Sequence, residues 1–144
     1  VASKREQILE ALKVLVQAAL PHSDVERNRD KPQSIGPGGT VIIRDGEPGE
    51  AEVMLSPLTY LWDHRIPVEV AVYESGGKTP AEVLDDMLRP IGAAIAADRT
   101  LAGLCDWVDL TAPITAGIES FGVEPGRWAD FDFVATYATS NPLA

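Results

Sequence analysis

Two stretches of this chain set a helix-starting box in front of an apolar stripe, and the residues between them alternate as strands do. Ser3-Lys4-Arg5-Glu6 and Thr79-Pro80-Ala81-Glu82 share the S/T-x-x-E form. In that form the hydroxyl takes an orphan helix N–H and the glutamate reaches back to the cap. The second box adds proline at the first helical position, where a missing N–H costs nothing. Behind the first box Ile8, Leu12, Leu15 and Ala19 recur at helical spacing, widened by Leu9 and Val16; behind the second come Leu84, Leu88, Ile91 and Ile95, with Val83 and Met87 beside them. Each helix has one face to bury and needs a partner layer to bury it.

The intervening segments supply a sheet. Residues 24–29 read as a short extended piece. Residues 40–45 read as a buried strand, joined through Gly46-Glu47-Pro48-Gly49 to a second strand at 50–55, so the pair is expected as a hairpin. In residues 66–73, Ile66, Val68, Val70 and Val72 alternate with Pro67, Glu69, Ala71 and Tyr73. Pro67 places the start of that strand at an edge or bulge unless its missing donor faces away from the sheet. Pro90 predicts a kink or break in the second helix near Arg89, and residues 100–105 are expected to add a helical turn. In residues 108–118, Val108, Leu110, Ala112, Ile114, Ala116 and Ile118 alternate as one strand. Ala129, Phe131, Phe133, Ala135 and Tyr137 form another, connected through the turn at 122–127. The expectation is a single α+β domain over residues 1–144. Its largely antiparallel sheet has about four to six strands, with both helices on the apolar face. Residues 140–144 are expected as a flexible tail.

At 144 residues the chain can bury one core without staples. The lone Cys105 cannot form an internal disulfide, and no cysteine and histidine spacing suits zinc, which points to a reducing compartment and to no metal or cofactor. No apolar run approaches the ~20 residues that cross a bilayer, and the first helix is charged where a signal peptide would be apolar. A soluble intracellular protein with no membrane partner is expected. The formal net charge of −10 excludes general nucleic-acid binding. Arg27, Arg29 and Lys31 cluster, but Glu26 and Asp30 interleave with them, so this loop reads as solvated or subunit-contacting rather than as a phosphate site. Gly36, Gly38 and Gly39 lack the lysine and Ser/Thr of a phosphate loop and read as a surface loop.

Candidates for catalysis are few. His22 follows a helix-ending proline and reads as a loop residue. His64, in Tyr60-Leu61-Trp62-Asp63-His64-Arg65, belongs to the best cluster in the chain; strand alternation puts Tyr60, Trp62 and His64 on one face and Asp63 and Arg65 on the other. An aromatic patch or subunit contact is favoured there over a general base. Asp85 and Asp86 diverge around their helix. Asp130 and Asp132 share a strand face and could hold a divalent ion with Glu119, although solvation of an outer face is the plainer reading. Cys105 reads as a small buried side chain.

Together, Arg5-Glu6-Gln7-Ile8-Leu9, Val25-Glu26-Arg27-Asn28-Arg29, Arg44-Asp45-Gly46, the 64–73 strand with Val68-Glu69-Val70, Thr79-Pro80-Ala81, and Phe131-Asp132-Phe133 running to Tyr137-Ala138-Thr139 resemble the tail terminator proteins of long-tailed (siphovirus-like) phages and prophages, from about residue 3 to residue 139. The resemblance is one of layout and carries no catalytic set. It implies a virion-assembly protein, found in the host cytoplasm and then in the virion tail. Six copies would form a ring on the tail tube, stop its polymerisation, meet the head connector and leave a channel through which DNA passes without sequence-specific contacts. A closed ring uses two different patches per subunit. Arg27, Arg29, Lys31, Tyr60, Trp62 and Arg65 are the residues assigned to ring contacts on that reading, and Gly38, Gly39, Gly46, Glu47 and Glu50 to docking on the tube protein. Two alternatives are a head-completion or neck protein of similar architecture, and a small ligand-binding or enzymatic α+β domain using the residue 62–65 cluster.

Overall fold

The computed structural model describes residues 1–29, 38–73, 76–118 and 126–144. Among them the order is α1 (Lys4–Ala19), β1 (Asp24–Arg27), β2 (Thr40–Ile43), β3 (Glu52–Met54), β4 (Thr59–Tyr73), α2 (Pro80–Ala97), β5 (Trp107–Leu110), β6 (Ile114–Ile118) and β7 (Gly126–Thr139). Both predicted caps form. Ser3 Oγ accepts the Glu6 N–H at 3.2 Å, and at α2 the box closes in both directions between Thr79 and Glu82.

The seven strands make one sheet, in the order β1-β2-β4-β7-β5, with β3 beside β4 and β6 beside β7. Only β1 and β2 run parallel among the described pairings. The spine is the antiparallel pair β4 and β7, in register from Tyr60↔Thr139 to Tyr73↔Gly126. Period-two alternation puts Ile66, Val68 and Val70 of β4 beside Phe133, Phe131 and Ala129 of β7. These join Ile8, Leu12 and Val16 of α1 and Leu84, Ile91 and Ile95 of α2 in one core. The fold is thus α+β, as the alternation and the two stripes require.

Several local expectations are corrected. Strand β2 does not form a hairpin with β3: it lies between β1 and β4, and β3 instead hairpins onto β4, with Val53 opposite Tyr60. The 46–49 turn therefore links two strands that both borrow β4 as partner. Pro67 sits mid-strand, not at an edge. Its carbonyl accepts the Arg44 N–H at 2.9 Å just past the end of β2, so its nitrogen also faces that side and the ladder to β7 loses no donor. Helix α2 runs unbroken through Pro90; one missing N–H is tolerated where the rest of the helix is anchored by its buried stripe. Residues 101–103 do not extend a helix. Leu101, Ala102 and Gly103 have φ of 50°, 58° and 86°, a left-handed turn in which both Asp98 carboxylate oxygens accept the Ala102 N–H.

The strand expected over 108–118 is two strands, because Pro113 interrupts pairing between them, and Ile114, expected inside, is 75% exposed. After β7, residues 140–144 form a turn in which Asn141 O accepts the Thr139 hydroxyl and the Ala144 N–H. The 122–125 turn, Lys31, Gly36 and Glu119 lie outside the described residues.

Candidate assembly surfaces

The residues assigned to contacts fall into three places. At one corner, the Arg27 guanidinium donates to both carboxylate oxygens of Glu6 (2.5 and 3.1 Å) and to Asp45 (2.9 Å), with Glu10 at 3.4 Å. Its side chain is only 15% exposed. Asn28, at φ 55°, exchanges two hydrogen bonds with Asp45, one to the carboxylate and one from the backbone N–H. Arg27 thus ties β1 to α1 and to the loop after β2, instead of standing free for a neighbour. The hydrogen bond from Arg27 lowers the Glu6 carboxyl below its usual range. At Asp45 burial works to raise the carboxyl, but Arg27 and Asn28 outweigh it and the net shift is downward. Arg29 pairs with Glu26 at 2.6 Å on the surface.

Behind this corner lies His64, fully buried. Its Nε2 is 2.6 Å from the Asp45 carbonyl and its Nδ1 is 3.0 Å from the Tyr137 hydroxyl. A carbonyl only accepts, so Nε2 carries the proton and Nδ1 accepts from the tyrosine. Burial lowers the imidazole pKa, opposed by the Asp45 carbonyl. A neutral ring with both nitrogens bonded and no exposure acts as a structural pin, and it sits within the expected aromatic cluster: the His64 and Tyr137 rings are 6.0 Å apart, and Trp62 stands opposite Tyr137 across the strands. Tyr137 and Asp45 were not singled out in the sequence; a tyrosine at a core position of an alternating strand was the available signal, since a buried hydroxyl needs a partner.

On the opposite, open face of β4 stands Arg65. It is 66% exposed on its side chain and donates to Asp132 at 2.9 Å. Its backbone exchanges bonds with Glu47 at 3.2 and 3.3 Å, so residues assigned to the ring (Arg65) and to the tube (Gly46, Glu47) share one surface. Gly46 is obligatory there: φ is +64°, and a Cβ would sit 1.9 Å from the Arg65 carbonyl oxygen. Glu50 is exposed just before β3. Asp132 is held by Arg65, while Asp130 is exposed beside it. Gly38 and Gly39 are far less free than a loop reading implies. A Cβ on Gly38 would lie 1.8 Å from the His22 carbonyl oxygen, and its own carbonyl accepts the Ser23 hydroxyl at 2.6 Å.

The third place is the β3–β4 hairpin. Tyr60 and Trp62 stack at 6.2 Å and 14°, and Trp62 Nε1 donates to Thr139 Oγ1 at 2.9 Å while its ring packs on the core. Beyond them Val53, Met54, Leu55 and Leu58 are 51%, 46%, 77% and 49% exposed. The sequence reading put residues 50–55 in an ordinary strand and missed this apolar end. It also missed an apolar hollow of about 1060 Å³ along α1, walled by Ala11, Val14, Leu15 and Ala18 with Ala94 and Leu104. Val14 is 61% exposed in it. Cys105 is buried, and burial raises its thiol pKa.

Fold and surfaces define a helix-backed, largely antiparallel sheet protein whose main core lies under the helices, with Ile42 and Ala71 also buried on the other face, and with separate apolar and polar outer patches. No protein-family model matches the chain, and no curated protein matches it. It is similar to a chain of the solved "Virion of native gene transfer agent (GTA) particle", with 13% identity over 94% of this chain and 92% of that one, at a TM-score of 0.41. Identity and score are both too low for that likeness to bear on what this chain does.

Proposed function

We propose that this chain is a virion-assembly protein of the tail-terminator kind. It would act by self-association on the end of a tail tube and by contact with a head connector, not by transforming a substrate. The observation that carries the reading is the pairing of unlike patches on one subunit: an apolar hairpin end at Val53–Leu58 and an apolar hollow along α1. A head-to-tail contact that closes into a ring needs two such different surfaces. Each exposed apolar group withdrawn from water contributes about 25 cal/mol per Å² toward that contact. The polar face around Arg65 and Glu47 then remains for docking to the tube or the connector. The enzymatic alternative needed His64, and His64 is enclosed with its hydrogen bonds already made.

The test is light scattering with negative-stain images, across protein concentration and in the presence of polymerising tail-tube protein. Rings, or tubes capped and halted, are the expected result. Val53→Lys and Arg65→Glu should abolish one or both while leaving a folded chain. A protein that never closes into rings and leaves tube growth unchanged overturns the reading. Trp62→Ala is a poorer probe than Arg65→Glu, because Trp62 also packs on the core.

A further inference from the structure

The outer edges of the sheet are not alike. The edge of β5 is closed: the Val108 N–H donates to the Arg99 carbonyl at 2.7 Å, and the Arg99 guanidinium donates to the Val108 carbonyl at 3.0 Å. The edge strand β1 carries Asp24, Glu26 and Arg27, and charge discourages pairing with another chain. Strand β3 carries the exposed Glu52. Strand β6, Ile114-Thr115-Ala116-Gly117-Ile118, has neither charge nor proline, and residues 114–117 are all exposed. On a protein of net charge −10, that edge carries none of the usual guards among the described residues.

Its open hydrogen-bonding groups follow from the register. On β7 the carbonyls of Asp132 and Thr136 accept N–H groups from Thr111 and Asp106, so even-numbered residues of β7 turn their backbone toward β5 and β6. Ile114, Ala116 and Ile118 stand opposite Asp130, Trp128 and Gly126 and bond inward. Thr115 and Gly117 therefore present N–H and C=O outward. A Cβ built on Gly117 would meet nothing within 4 Å, so the sheet face at this position is open as well.

We propose that β6 pairs antiparallel with β6 of a second copy about a two-fold axis at Ala116. The strand is its own complement: with Ala116 facing Ala116, Thr115 of one copy exchanges both backbone bonds with Gly117 of the other. No like charges are brought opposite each other within the strand, whereas self-pairing of β3 would bring Glu52 side chains together in the joined sheet. The contact is isologous, distinct from the head-to-tail contact of a ring, and does not rest on it. Five residues bury far less than the ~800 Å² per partner of a stable complex, so the dimer is weak and strengthens with concentration.

Sedimentation equilibrium from low micromolar to near-millimolar protein should show a monomer–dimer equilibrium. Ala116→Lys sets two like charges on the axis, and Thr115→Pro deletes the outward N–H while leaving the inward bonds to β7; each should weaken the dimer about tenfold or more. Ala116→Cys should cross-link as a dimer under mild oxidation, since non-hydrogen-bonded antiparallel pairs bring Cα atoms to about 4.5 Å. Cys105 is buried and does not compete. Val53→Lys, which should break a ring, should leave this dimer intact. Circular dichroism confirms that each variant folds. A monomer at every concentration, an oligomer indifferent to both Ala116→Lys and Thr115→Pro, or an Ala116→Cys chain that fails to cross-link overturns the proposal.

Discussion

Arg27 and Arg65 were assigned the same ring-contact role from the sequence, each an arginine within two residues of a carboxylate, yet they occupy opposite kinds of place. Arg27 is 15% exposed and shared among Glu6 and Glu10 of α1 and Asp45 of the loop after β2. Arg65 is 66% exposed and holds one carboxylate across a sheet face. A partly desolvated guanidinium with several acceptors stabilises the fold by joining α1, β1 and the loop after β2 through charge-assisted hydrogen bonds. An exposed pair contributes little to stability and leaves its charge available to a neighbour. The difference comes from what lies across the strand: α1 covers the end of β1, whereas among the described residues no helix lies over the outward face of β4 at Arg65.

The comparison can be broken most directly at His64, the buried end of the Arg27 corner. His64→Ala should destabilise by about 3 kcal/mol in urea unfolding, from the cavity and from stranding the Tyr137 hydroxyl and Asp45 carbonyl. A loss under 1 kcal/mol would mean the corner is not pinned through the core. Gly46→Ala comes next, at about 2 kcal/mol or more, because of its positive φ and the clash with the Arg65 carbonyl. Gly49→Ala, with a similar φ of +73° and nothing within 4 Å, should cost about 1 kcal/mol. Equal losses at the two glycines would show that conformation, not close approach, governs the turn. Arg27→Ala should cost about 2 kcal/mol, against less than about 0.5 kcal/mol for Arg65→Ala; a reversed order would undo the contrast.

The smallest effect is one of pH. His64 has a folded pKa below its unfolded value of 6.5, so the unfolded chain takes up the proton first. The stability held by neutral His64 is complete above about 6.5 and is lost as pH falls below it, with a slope of at most about 1.4 kcal/mol per pH unit. Glu6 and Asp45, whose carboxyls are lowered, contribute above their unfolded values of 4.5 and 3.8 and lose that contribution only as pH falls below those. Unfolding free energy measured between pH 7.5 and 5 should therefore decline in the parent protein and flatten in His64→Gln. A parallel decline in both would remove His64 as the cause.

Local periodicity was enough for most of the architecture. The stripes at Ile8, Leu12 and Val16 and at Leu84, Ile91 and Ile95 are the buried faces of α1 and α2, and the alternation from Ala129 to Tyr137 is the inward face of β7. Partnership was much less legible. Gly46 to Gly49 has the composition of a hairpin turn, but β2 pairs with β1 and β4, because β4 is long enough to accept β2 and β3 along the same side. Ile114 follows the right alternation and is nonetheless outside, since the register on β7 slips by one residue across Pro113 and sets Ile114 opposite the exposed Asp130 on the outward face.

Caps, stripes and strand alternation belong to residues a few positions apart, whose backbone and side-chain preferences act before any long-range contact exists, and the chain alone determined them. Whether an arginine is spent inside or offered outside, whether His64 is reagent or pin, and which strand edge stays open depend on segments dozens of residues away. Burial and hydrogen-bond satisfaction are properties of what finally lies next to a group, so only the assembled sheet and its two helices could decide them.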